Sequence, residues 1–347
     1  MHWFDAHLDM ACLAELDRDF TKPTEDAGGP QPAAVTFPAL AEGNIRWCCA
    51  TIFVQPRVLD GPLEQRINGD WCYGNIEEAH RACLRQISIY QQWQSEGHIG
   101  ICGTAGAKAD APLQALLLLE GAAGIRHEED LRLFYQSGVR IIGLTWAPGS
   151  QYAGGDRTGE DLTPAGRNML LAIDKLNMVH DVSHLSEKAF WSVMQRASGP
   201  KIASHSNCRS LLPDAPVPER HLSDGQIKAI FQAGGVIGIN LYSKFLARGR
   251  RATVADVVKH IEHMADIAGR FDCIGLGSDM DGGFTPDDLP EQLEHPRHLP
   301  RLAAALSDAG FSDEDIQNFA SATWRDYFGR RLRLPGQAGA GLMAHKV

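Results

Sequence analysis

The stretch LQALLLLEG, residues 113–121, carries the clearest signal for the fold. It is a short, almost unbroken apolar run that ends in a carboxylate, Glu120. Such runs are typical of parallel strands that are buried on both faces. Comparable runs recur along the chain, each followed by a helix-like segment: IRWCCATIFV, VRIIGLTWA, GVIGINLY and DCIGLGSD. About eight strand–helix units in succession predict an α/β protein with a (β/α)8 barrel of the TIM type.

A doubly wound open sheet is the alternative arrangement of the same units. No G-x-G-x-x-G loop follows the first strand, which weakens the nucleotide-binding version of that fold. No strong boundary divides the 347 residues. We therefore expect a single barrel domain over residues 1–334, a loop insertion over residues 55–75, and a flexible Gly/Ala-rich tail over residues 335–347.

Composition narrows the class of protein. With 44% hydrophobic and 22% charged residues, the chain has the make-up of a soluble globular protein. The formal net charge of −10 argues against a nucleic-acid surface. No apolar segment reaches membrane-spanning length and no secretory leader is evident, while the eight cysteines form no C-x-x-C pair. These features predict a cytoplasmic protein with reduced thiols and without nucleic-acid or membrane partners.

Imidazoles and carboxylates follow the predicted strands. They are His7 and Asp9, Glu120, His184, His205 and Asp279. Barrel enzymes place their active sites at the carboxyl ends of the strands, so these residues should meet in one pocket. Each alone has an ordinary structural explanation, but together they are the ligands that zinc or a similar divalent ion binds. Six potential ligands are more than one tetrahedral ion uses.

Other histidines and motifs are weaker candidates. His260 and His263 lie on an amphipathic helix, where we expect both on the polar side. His295 and His298 flank a proline in a loop that we expect to be exposed. The glycine of DMDGGF comes too early for a calcium-binding loop, and no G-x-S-x-G motif supports serine catalysis.

Several motifs in one order resemble the membrane (renal-type) dipeptidases, the M19 peptidase family of the amidohydrolase-like group. They are H-x-D at 7–9, LEG at 119–121, DVSHLSEKAFW, IASHSNCRSL, RHLSD and IGLGSDMDG. The resemblance runs from about residue 4 to 330. It implies a (β/α)8 barrel that holds two zinc ions and cleaves dipeptides, often including those with a D-residue at the second position.

The resemblance also implies a role for each matching residue. His7 and Asp9 would bind one zinc ion, His184 and His205 the other, and Glu120 would bridge both. A water or hydroxide shared by the ions would attack the amide, with Asp279 as the proton shuttle.

The resemblance also implies which residues contact the substrate. Arg220 would hold the substrate carboxylate, and Tyr242 is a further substrate contact. The spacing alone adds Asp5 as a residue that would hold a metal ligand in place. A homodimer is the family-based expectation.

Two positions depart from the family pattern. Trp146 follows Thr145 where the family has a histidine that stabilises the developing oxyanion, and GAAGI follows Glu120 where the family usually has G-G-H. The leading hypothesis remains a zinc dipeptidase. The alternatives are an amidohydrolase for another short amide, such as an N-acyl amino acid or modified dipeptide stacked on Trp146, and a metal-containing barrel without catalysis.

Overall fold

The computed structural model describes residues 1–57, 69, 71–104 and 106–332. Its centre is a barrel of eight strands: β1 (Trp3–Leu8), β2 (Ile45–Phe53), β3 (Leu113–Glu120), β4 (Val139–Gly143), β5 (Val179–Asp181), β6 (Lys201–Ile202), β7 (Ile237–Ile239) and β8 (Ile274–Leu276). The strands pair in the order β7-β8-β1-β2-β3-β4-β5-β6. A parallel bridge from Ala203 to Ile237 brings β6 against β7 and closes the barrel. The predicted single-domain (β/α)8 fold is confirmed.

Helices cover the outside of the barrel. They are α1 (Met10–Glu15), α2 (Phe37–Glu42), α3 (Ile76–Glu96), α4 (Glu128–Gln136), α5 (Pro164–Lys175), α6 (Glu187–Arg196), α7 (Asp224–Gln232), α8 (Val254–Ala268), α9 (Leu299–Asp308), α10 (Asp313–Gln317) and α11 (Thr323–Gly329). Among the described residues, none forms a helix that combines the length and the apolar character needed to cross a bilayer.

Strand β3, which contains the run LQALLLLE, is buried along its whole length. Leu116 and Leu118 of β3 belong to the cluster that fills the barrel, whereas Leu117 and Leu119 pack in the larger cluster that includes the surrounding helices. Alternate side chains of one strand thus enter two cores, as expected of a parallel strand covered on both faces. Gln114 near its start and Glu120 at its carboxyl end are the polar residues of this strand.

One end of the barrel is closed by α11. Trp324, Tyr327 and Phe328 pack in the interior cluster, and the Phe328 ring stacks on Phe4 at 5.7 Å. The Tyr327 hydroxyl donates to the carbonyl oxygen of Lys201, the first residue of β6, over 2.9 Å. Because these contacts lie near the amino ends of the strands, the carboxyl ends are left to form a site.

Two expectations about histidine positions are wrong. His260 is buried rather than polar-facing, because with Val257, Ile261 and Met264 it forms the i, i+3, i+4, i+7 stripe of α8. His295 is buried as well.

Two predicted segments, the loop insertion and the tail, lie largely or wholly outside the described residues. The insertion at residues 55–75 lies largely outside the described residues, and its described ends form the paired strands Gln55–Pro56 and Cys72–Tyr73. The tail at 335–347 lies wholly outside them.

Candidate metal centre

The carboxyl ends of the strands surround a cavity of about 430 Å³. Among the residues that line it are Asp9, Glu120, Trp146, His184, His205, Arg220, Tyr242 and Asp279. His7 lies beneath them, fully buried and against Glu120. The structure therefore brings together every candidate ligand and every substrate-contact candidate named from the sequence.

Glu120 occupies the middle of the cluster. Its Oε2 atom lies 3.2 Å from Nε2 of His7, and its Oε1 atom lies 3.0 Å from Nε2 of His184. Nε2 of His205 is 3.6 Å from the same Oε1 atom. The two carboxylate oxygens thus face different imidazoles, Oε2 that of His7 and Oε1 those of His184 and His205.

The ligand atoms form two overlapping groups. One contains His7, Glu120 and His205, and the other contains His7, Asp9 and Asp279; within each group the atoms lie no more than 4.8 Å apart. All five residues are buried. Imidazole nitrogens and carboxylate oxygens at this spacing are suited to zinc and to other divalent transition metals.

The far side of each imidazole ring is held by an acceptor. Nδ1 of His184 lies 2.9 Å from Oδ2 of Asp156. Nδ1 of His205 lies 2.7 Å from Oγ of Ser204, and Nδ1 of His7 lies 3.2 Å from the same oxygen.

The Ser204 hydroxyl fixes the protonation of two of these rings. It donates its hydrogen to Oδ2 of Asp181 over 2.6 Å, so its lone pairs remain for hydrogen bonds from the two Nδ1–H groups. Protonation at Nδ1 leaves each Nε2 lone pair free to bind a metal.

Unsatisfied atoms indicate that a cation fits between these groups. Nε2 of His7 is buried without a hydrogen-bond partner among the described residues. The Nε2 atoms of His184 and His205 lie only 3.0 Å apart, so two lone pairs face each other. Bound divalent ions would satisfy these nitrogens.

The buried carboxylates also indicate that a cation fits in this centre. Burial, together with the charge of Glu120, raises the pKa of Asp9 to about 7. Burial also raises the pKa of Asp279 to about 6. Clustered carboxylates are costly to ionise in an apolar interior, and bound cations remove that cost.

Two site residues adopt a backbone conformation that is uncommon for residues other than glycine. His184 has a φ of +64° and Asp279 has a φ of +61°. Left-handed conformations of this kind occur at functional sites when the surrounding contacts hold them. Asp279 is so held, since its Oδ2 atom accepts a 2.8 Å hydrogen bond from Nδ2 of Asn240.

Arg220 supplies a buried positive charge beside the ligands. Its Nη2 donates to the carbonyl oxygen of His205 over 2.9 Å and its Nη1 to Oγ of Ser206 over 3.3 Å. Its Nε has no hydrogen bond among the described residues, although Oδ2 of Asp156 lies 4.0 Å away. The guanidinium packs over the Phe245 ring at 5.1 Å.

The remaining substrate-contact candidates are aromatic. Tyr242 stacks on Phe284 with ring centroids 4.6 Å apart. Trp146 contacts Phe53 edge to face at 5.2 Å and lies 6.2 Å from the His184 ring.

Sequence reasoning missed several supporting residues. Asp181 and Ser204 lie in the strand-end motifs HDVSH and IASHS, next to the predicted ligands, so their polar character was a usable signal. Asp156 lies in a loop without any such signal. Asp5, predicted to hold a ligand, accepts hydrogen bonds from the backbone N–H groups of His7 (3.2 Å) and Ser278 (2.8 Å).

The chain is similar to several known proteins. The family model "Membrane dipeptidase (Peptidase family M19)" matches residues 1–324. A protein encoded in the pqqA 5′ region of Klebsiella pneumoniae is 34% identical over 259 residues, covering 69% of this chain and 92% of that protein. An uncharacterised dipeptidase of Schizosaccharomyces pombe is 31% identical over 195 residues, covering 55% of this chain and 46% of that protein.

A solved structure is similar over almost the whole chain. It is a metallo peptidase from Rhodobacter sphaeroides liganded with a phosphinate mimic of the dipeptide L-Ala-D-Ala. The two chains are 25% identical and superpose with a TM-score of 0.78, covering 95% of this chain and 99% of the other.

Proposed function

The chain belongs to the membrane dipeptidase family, peptidase family M19, and is a metal-dependent dipeptidase; from this premise we propose that it works with two zinc ions bridged by Glu120. His7 and Asp9 would hold one ion, and His184 and His205 the other. The observation that carries the proposal is the position of Glu120, whose two oxygens face separate imidazoles at 3.2 Å and 3.0 Å. We include dipeptides with a C-terminal D-residue among the substrates, which the L-Ala-D-Ala mimic bound by the Rhodobacter sphaeroides relative supports.

Bound zinc ions would polarise the scissile carbonyl group and lower the pKa of a water molecule to near neutrality. The surrounding residues orient the imidazole ligands. The acceptors at Asp156 and Ser204 keep each Nε2 lone pair directed into the centre. This arrangement fixes the rings before substrate arrives.

Asp279 is the proposed proton carrier. Its carboxylate is buried in the lining of the cavity, near His7 and Asp9. One carboxylate oxygen, Oδ2, accepts a hydrogen bond from Asn240. From this position it would accept the proton of the attacking water and deliver it to the leaving amine.

Arg220 is the proposed anchor for the substrate carboxylate. It is buried, and among the described residues no carboxylate forms a hydrogen bond with its guanidinium and its Nε–H has no hydrogen-bond partner. A guanidinium that is already buried binds a carboxylate more strongly than an exposed one, because the folded protein has already desolvated it and water screens the attraction less.

A different short amide is the second candidate substrate. Trp146, with its ring beside His184, favours this alternative because an indole offers a flat surface to an acyl group and one neutral N–H donor. Family membership favours either enzyme over the barrel without catalysis. A homodimer and a cytoplasmic location remain predictions.

The test is hydrolysis of an amide panel by zinc-loaded protein. The panel contains L–L dipeptides, L–D dipeptides and N-acyl amino acids, with Glu120→Ala as the blank. We expect cleavage of dipeptides, abolished in the blank. Cleavage of N-acyl amino acids alone would support the second candidate. Full dipeptide activity in Glu120→Ala would overturn the proposed centre.

A further inference from the structure

Three aromatic side chains form one face of the cavity, which we call the aromatic wall: Phe53, Trp71 and Trp146. Phe53 is the last residue of β2, and its ring lies 5.2 Å from Trp146 and 6.1 Å from Trp71. All three residues line the cavity. The proposed function gives no role to Phe53 or Trp71.

The position of the wall in the barrel is set by the strand order. Phe53 ends β2 and Trp146 follows β4, so the wall lies on the side of β2 to β4. Arg220 follows β6 and Tyr242 follows β7, on the side of β6 to β8. In the eight-stranded order, β3 is four places from β7, so these two sides face each other across the barrel.

The candidate ligand atoms converge between the two sides, because they come from the ends of β1, β3, β5, β6 and β8. A substrate whose carboxylate is held at Arg220 and whose amide lies at these atoms must extend its acyl half toward the wall. Leu13 and Leu16 of the α1 region also line the cavity and add apolar surface.

We propose that the aromatic wall is the pocket for the acyl half of the substrate and selects a large apolar or aromatic side chain there, with Trp146 as the principal specificity-determining residue. The proposal rests on the proposed function and adds the substrate class. A flat, uncharged surface gains most from burying a ring, through apolar contact and edge-to-face packing. A glycine or alanine side chain would leave this surface exposed to water.

The experiment compares matched dipeptides that differ only in the first residue. For zinc-loaded protein we expect kcat/KM for L-Phe-L-Ala to exceed that for L-Ala-L-Ala by about 10- to 100-fold. Trp146→Ala should reduce this ratio by about tenfold or more. A second series, L-Ala-L-Phe against L-Ala-L-Ala, varies the other half of the substrate, and its ratio should not change in Trp146→Ala.

Trp191→Ala is the matched control. Trp191 lies on α6, is 41% exposed and is absent from the cavity lining, so removing it should leave both ratios unchanged. If Trp146→Ala does not fold, as judged by circular dichroism and zinc content, Trp146→Leu and Phe53→Leu replace it, and each should lower the first ratio.

The results distinguish a failure of the specificity proposal from a failure of the proposed function. Equal kcat/KM for L-Phe-L-Ala and L-Ala-L-Ala, or a ratio kept in the wall variants, would overturn the specificity proposal and leave the dipeptidase intact. If no amide is cleaved, the proposed function fails. The specificity of the aromatic wall is then tested by the binding of dipeptides. L-Phe-L-Ala should raise the Tm of zinc-loaded protein more than L-Ala-L-Ala does, and equal shifts would overturn the proposal.

Discussion

The carboxylate of Asp156 accepts a 2.9 Å hydrogen bond from Nδ1 of His184. The same oxygen lies 4.0 Å from Nε of Arg220. One loop carboxylate thus contacts a candidate metal ligand and approaches the candidate substrate anchor. It both sets the tautomer of His184 and lies close enough to limit how Arg220 can move.

Replacing Asp156 tests the first of these roles. In Asp156→Asn the charged acceptor is lost, and we expect zinc affinity to fall by about 10- to 100-fold. Competition with a chromophoric chelator measures the change. Asp308→Asn, on the exposed surface of α9, removes one negative charge as a control and should leave the affinity unaltered. Wild-type zinc affinity in Asp156→Asn would show that Asp156 does not support metal binding through His184.

Replacing Arg220 tests the substrate anchor. Arg220→Lys keeps the charge but loses the fork, so KM for dipeptides with a free carboxylate should rise by about tenfold or more. Wild type and variant should differ much less on dipeptide amides, which lack that carboxylate. An equal loss on both substrates would show that Arg220 acts on the fold or on His205, whose carbonyl oxygen it binds, rather than on the substrate.

Burial of His260 predicts a loss of stability in acid. Burial lowers the pKa of His260 from 6.5 to about 4, and its Nδ1 accepts a 3.1 Å hydrogen bond from the backbone N–H of Cys208. Because the unfolded chain binds this proton more readily, stability falls as the pH drops from 6.5 toward 4. Between pH 7 and pH 5 this group alone should remove about 2 kcal/mol from the free energy of unfolding.

The contribution is isolated by a variant that cannot titrate. His260→Gln should show a shallower loss of stability between pH 7 and pH 5, in urea titrations of chelator-treated protein. Chelation removes the separate effect of acid on metal binding. Parallel pH profiles for the two proteins would contradict the assignment.

The ion pair between Arg18 and Asp281 predicts a large cost on disruption. Both side chains are buried, and Oδ2 of Asp281 also accepts from the backbone N–H groups of Ala34 and Val35 at 2.9 Å each. Asp281→Asn would leave the Arg18 charge buried, which should cost about 3–5 kcal/mol in the free energy of unfolding.

An exposed pair provides the matched comparison. Arg270 and Asp272 form a 2.8 Å ion pair with side chains 45% and 59% exposed. Asp272→Asn should therefore cost less than about 1 kcal/mol. Similar costs at the two pairs would mean that the Arg18–Asp281 contact stabilises the fold no more than a surface pair.

The sequence predicts those parts of the site that depend on strand ends. The apolar run of β3 identifies a buried strand, and Glu120 at its end becomes a site residue because all parallel strands deliver their carboxyl ends to one edge. Asp156 could not be found in this way, because its contact with His184 depends on the path of a loop. The expectation that His260 lies on the polar side of its helix is wrong. A histidine can occupy the buried stripe of a helix when backbone groups satisfy its nitrogens.

The number of zinc ions bound per chain tests the proposed two-ion centre. Wild-type protein dialysed against zinc and measured by elemental analysis should bind two ions per chain. Glu120→Gln, which keeps the shape but loses the bridging charge, should retain fewer than two ions and lose dipeptide hydrolysis with them. A single ion in active wild-type protein, or two tightly held ions in Glu120→Gln, would contradict a centre bridged by Glu120.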